Sequence, residues 1–70
     1  MVPNFVLAGT YAQYRDWLGN RDPREFVYLS HVAPMVGVYG GKLWRVGTWY
    51  ERDDAHLLLE SASIRGIEPC

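Results

Sequence analysis

Asn4–Leu18, NFVLAGTYAQYRDWL, is the stretch that decides the architecture. Phe5, Val6 and Leu7 form an apolar run too short for a helix of ordinary length, which predicts a buried strand over Asn4–Ala8. Gly9-Thr10 is a turn. Thr10 can cap the free N–H groups of a first helical turn, and Gln13, three residues on, can reach back to the cap N–H. Tyr11–Leu18 is therefore expected to be helical. A strand feeding directly into a capped helix is the first half of a βαβ unit, and architectures of that kind bind ligands at the carboxyl ends of their strands.

Working outward, Gly19–Glu25 (GNRDPRE) is a turn segment broken by Asp22-Pro23. Phe26–Ser30 reads as a second strand, parallel to the first through a right-handed crossover. In His31–Lys42, Pro34, Gly37, Gly40 and Gly41 oppose a long regular element, while Val32, Met35, Val36, Val38 and Tyr39 are too apolar for a wholly exposed loop. One helical turn near Ala33–Val36 is expected, then a loop covering one edge of the core. Leu43–Trp49 is a third strand, with Leu43, Arg45 and Gly47 on one face and Trp44, Val46 and Thr48 on the other. Asp53–Arg65 is a second helix, its stripe formed by Ala55, Leu58, Leu59 and Ala62. Asp53 and Asp54 suit the positive start of that helix, and Gly66 follows its end. The expected fold is a single α/β domain over residues 1–70: a three-stranded parallel sheet in the order 2-1-3, two main helices and a short helical turn. Residues 67–70, with Pro69, are expected to be a flexible C-terminal tail.

Composition narrows the function classes. Seventy residues are near the lower limit for folding without staples. Cys70 is the only cysteine, so no disulfide forms within one chain, and Cys70, His31 and His56 show no close ligand pair for a metal. Seven basic against eight acidic residues give a net charge of -1, which disfavours electrostatically driven nucleic-acid binding. No apolar stretch is long enough to span a membrane, and the N-terminus reads as a strand rather than a signal peptide. With one unpaired cysteine, a reducing cytoplasm is the expected compartment.

Two turns share a signature: Gly9-Thr10-Tyr11 and Gly47-Thr48-Trp49 each follow an apolar strand. In the order 2-1-3 the first and third strands are neighbours at a topological switch point, where open α/β sheets form a crevice. Gly9, Thr10, Gly47 and Thr48, with His31 emerging at the same rim, are thus candidates for binding a small anion or nucleotide. Turn glycines and helix caps explain the same residues without a ligand, and neither a dinucleotide fingerprint nor a phosphate loop is present. Ser30-His31 does not read as a nucleophile and base, because neighbouring strand residues point to opposite faces. No catalytic constellation, metal set or cofactor motif emerges. Three Trp, five Tyr and two Phe exceed what a small core needs. Tyr11, Tyr14 and Trp17 on the first helix, with Trp49, are the candidate protein-interface residues.

Gly9-Thr10-Tyr11, Arg15-Asp16-Trp17, Phe26-Val27-Tyr28 and Arg45–Tyr50, in this order, resemble a group of very small proteins of bacteriophage genomes. The resemblance spans nearly the whole chain and implies a minimal Rossmann-like domain made in an infected bacterial cell. It carries no known activity and no catalytic residues. The functional expectation is a non-catalytic protein-interaction module that binds a host or phage protein, with a homodimer also expected. The competing expectation is an anion- or nucleotide-binding protein using the Gly-Thr turns.

Overall fold

A computed structural model describes residues 3–69. The chain runs β1 (Asn4–Ala8), α1 (Tyr11–Leu18), β2 (Val27–Tyr28), β3 (Lys42–Val46), α2 (Ala55–Ile64) and β4 (Glu68–Pro69), with single 3₁₀ turns at Pro23–Glu25, Ala33–Met35 and Trp49–Glu51. All strands are parallel, in the order β2-β1-β3-β4. β1 is central. It pairs with β3 along its full length, from Asn4↔Lys42 to Ala8↔Val46, and with β2 at Phe5↔Val27 and Val6↔Tyr28.

The pleat sorts the apolar residues into two layers. Phe5 and Leu7 of β1 and Leu43 of β3 face the side covered by α2, where Leu58, Ala62 and Ile67 meet Leu29 and Met35. Val6, Ala8 and Val46 face the opposite side, against Tyr14 and Leu18 of α1. The expected alternation of strand three holds for Leu43 on one face and for Trp44 and Val46 on the other, while Gly47 and Thr48 lie beyond the strand. Because β1 is buried on both, it reads as an unbroken apolar run rather than an alternating one. The long connection from β2 to β3 lies on the α2 side, with Val32 and Val38 packed beside Met35.

The strand expected over Phe26–Ser30 shortens to Val27–Tyr28, and two further boundaries move for physical reasons. β3 stops at Val46 instead of Trp49 because Gly47 turns the chain with φ 60°, and Trp49–Glu51 then form a 3₁₀ turn. α2 starts at Ala55 rather than Asp53, since Asp54 is its cap residue yet makes no side-chain cap bond.

The larger correction is the sheet's fourth strand. The segment expected as a tail begins with Ile67, 1% exposed in the α2-side core. Glu68 and Pro69 then pair with Lys42 and Leu43, the Glu68 N–H donating to the Gly41 carbonyl at 3.0 Å. A proline fits here because an edge strand needs donors on one side only. Cys70 lies outside the described residues. Both edges, β2 and β4, are two residues long, so β3 is an interior strand and not the open edge that the sequence suggested.

Candidate functional site

The rim formed by the carboxyl ends of β1, β2 and β3 brings the two Gly-Thr turns together. Thr10 caps α1 as expected, its Oγ1 accepting from the Gln13 N–H at 3.1 Å. The Gln13 side chain does not turn back to the cap. It crosses to the other turn, where Oε1 accepts from the Thr48 N–H at 3.0 Å and Nε2 donates to Thr48 Oγ1 at 3.0 Å. The glycines permit this approach. A Cβ on Gly9 would collide with Thr48 Oγ1 and Gln13 Oε1, and one on Gly47 would collide with the Gln13 amide. The protein's own Gln13 amide thus spans the crevice at the switch point and occupies the Thr48 N–H and hydroxyl, two of the groups an anion would use.

Arg52 closes the neighbouring stretch of rim. Its side chain is 12% exposed, and its guanidinium donates to the carbonyls of Ala8 (3.1 Å), Leu29 (2.5 Å) and Ser30 (3.2 Å). On its other edge it holds Asp54 in a two-point pair, at 2.9 and 2.8 Å. One side chain therefore ties the ends of β1 and β2 to the start of α2. This also explains why Asp54 does not cap its helix. Sequence reading missed both Gln13 and Arg52 as rim residues. An amide three residues after a Gly-Thr turn was the available signal for the first, while only the tertiary fold reveals the second.

His31 is exposed on the β2 side of the rim. β2 ends at Tyr28, so Ser30 and His31 lie in a bend and not on a strand, and their side chains meet, with Oγ and Nδ1 3.0 Å apart. The expectation of opposite faces fails at this point because strand geometry has already ended. No side chain other than Ser30 hydrogen-bonds the His31 ring among the described residues. Among those residues no group of three or more His, Cys, Asp or Glu could hold a metal ion, and no helix is long and apolar enough to cross a membrane.

The four aromatic interface candidates do not share one surface. Tyr14 is 6% exposed beneath α1, and Trp49 packs on the opposite, α2-side core. Trp17 is half-buried between Phe26 and Trp44, with the Arg21 guanidinium 4.4 Å from its ring centre. Tyr11 is 55% exposed while its ring contacts those of Tyr14 and Tyr28. Burial, and then the neighbouring Tyr11, raise the Tyr14 phenol above the ordinary tyrosine range, with Arg15 opposing. An eight-residue helix is too short to roof this face of the sheet, and the rings of Tyr28, Phe26 and Trp44 complete the cover.

Compared with protein-family models, curated proteins and solved structures, the chain matches none.

Proposed function

We infer that the chain is a non-catalytic protein-interaction module whose contact surface is the aromatic face beside α1. The observation carrying this reading is Tyr11. Its ring is more than half exposed, yet it is braced by Tyr14 and Tyr28 at centroid distances of 5.7 and 5.3 Å. A braced, exposed tyrosine loses little freedom on binding, which suits an interface anchor. Half-buried Tyr28, Trp17 and Phe26 extend the same face. The Gln13–Thr48 bridge supports the reading as well, since a small anion bound at Thr48 would have to displace Gln13. The resemblance to small phage proteins makes a host or phage protein the partner we propose.

The test is affinity capture from native host cells with the tagged full chain, followed by titration of any purified captured protein. A Tyr11→Ala variant is expected to weaken binding roughly tenfold or more. Tyr39→Ala, a still more exposed ring in the connection on the α2 side, should leave it unchanged. Capture of nothing, or of a protein indifferent to Tyr11, would overturn the reading. Saturable shifts of the Gly9 and Gly47 amides with inorganic phosphate or a nucleotide would transfer the function to the rim.

A further inference from the structure

On the opposite side of the sheet an open cleft of about 430 Å³ separates α2 from β3 and β4. Leu43 and Pro69 lie on the strand side, Leu59 and Ala62 on the helix side, and Gly66-Ile67 lines the turn between them. Its size falls within the range of small-ligand sites, roughly 300–1,000 Å³. What distinguishes it from an ordinary apolar groove is its charge. Arg45 shares the Leu43 face of β3 and lines the cleft, but enters no ion pair among the described residues. Its guanidinium lies 5.5 Å from the Trp49 ring centre, an arrangement that leaves the N–H edges free. Glu68, the one acidic residue at the margin, pairs in register with Lys42 and not with Leu43. Its side chain accordingly leaves β4 on the α1 side, and only its backbone borders the cleft. Ser63 adds a hydroxyl on the helix side.

We propose that this cleft binds a small monocarboxylate with an apolar body, the carboxylate taken by Arg45 and Ser63 and the body laid against Leu59 and Pro69, above the buried Leu43 and Ala62. A lone guanidinium beside apolar walls favours an anionic head with an apolar tail and disfavours a cation or a polyanion. The site is separate from the aromatic face proposed for protein contact, and either can fail without the other.

Nitrogen-15-labelled full chain titrated with sodium octanoate, octan-1-ol and octylammonium chloride tests the proposal. Octanoate is expected to give saturable amide shifts confined to Leu43, Arg45, Ala62, Ser63, Gly66 and Ile67. Octanol should bind about tenfold or more weakly and octylammonium not at all. Arg45→Gln, an exposed position, should weaken octanoate by a similar factor with the rest of the spectrum unchanged. Ser63→Phe, also exposed, should block the cleft while leaving Arg45 in place. Equal binding of octanol and octanoate, indifference to Arg45→Gln, or shifts centred on Tyr11 and Trp17 would each overturn it.

Discussion

At the scale of single residues, Arg52 is the side chain on which the rim depends. The carbonyl of Ala8 at the end of β1, those of Leu29 and Ser30 just beyond β2, and Asp54 converge on one guanidinium that is almost out of water. Removing it leaves the carbonyls with fewer donors and a carboxylate without its counter-charge. Arg52→Ala is therefore expected to cost about 2–4 kcal/mol, measured by urea unfolding at unchanged m-value. Arg52→Lys should recover less than half, because one ammonium cannot reproduce a planar fork that serves both sides. A loss below about 0.5 kcal/mol would mean that water replaces these bonds freely. None of this was legible in ERDD, where Arg52 looks like one charge among four on a solvated turn. Thr10 was legible because capping is local: its partner is three residues away. Gln13 was half legible. Its position signalled a polar reach, but the choice of Thr48, 35 positions on, belongs to the folded chain.

Among the elements, β1 and α1 have the boundaries that sequence predicts, since an apolar run, a turn and a cap are local signals. β4 was invisible for the complementary reason. Glu68-Pro69 has no apolar pattern, and its strand geometry follows from Ile67 docking under α2 and the second side of β3 being unpaired. The two readings separate cleanly in one variant. If residue 67 only opened a tail, Ile67→Ala would cost under about 0.5 kcal/mol. With Ile67 in the core, about 2–4 kcal/mol is expected from urea unfolding. The aromatic surplus divides in the same way. The number of rings was evident, but that Phe26, Tyr28 and Trp44 would widen the roof of a short helix depended on how far the sheet extends beside it.

For the whole molecule, the accessible surface of 4532 Å² matches the roughly 4,450 Å² expected of a folded monomer of 8.0 kDa. The radius of gyration, 11.0 Å, likewise equals the value of about 11 Å for a single compact chain of this length. Two-residue edges, one carrying Pro69, give a second copy little backbone to pair with. Sedimentation equilibrium from low micromolar to millimolar protein tests the expected homodimer, and a single species of 8.0 kDa throughout would exclude it. A dimer that Tyr11→Ala dissolves would place self-association on the aromatic face and not on the sheet.

The central position of β1 also governs what happens while the chain is being made. Its longest partnership joins Asn4 to Lys42, 38 positions later in synthesis. At about 5–20 residues per second, the ribosome takes roughly 2–8 s to deliver that partner. For those seconds Phe5–Ala8, buried in the finished protein, has no strand beside it but the two residues of β2, and α1 covers only one of its faces. This apolar segment is thus made before either of its strand partners and is fully enclosed only once β3 has arrived, which makes it the part of an unfinished chain most open to misassociation.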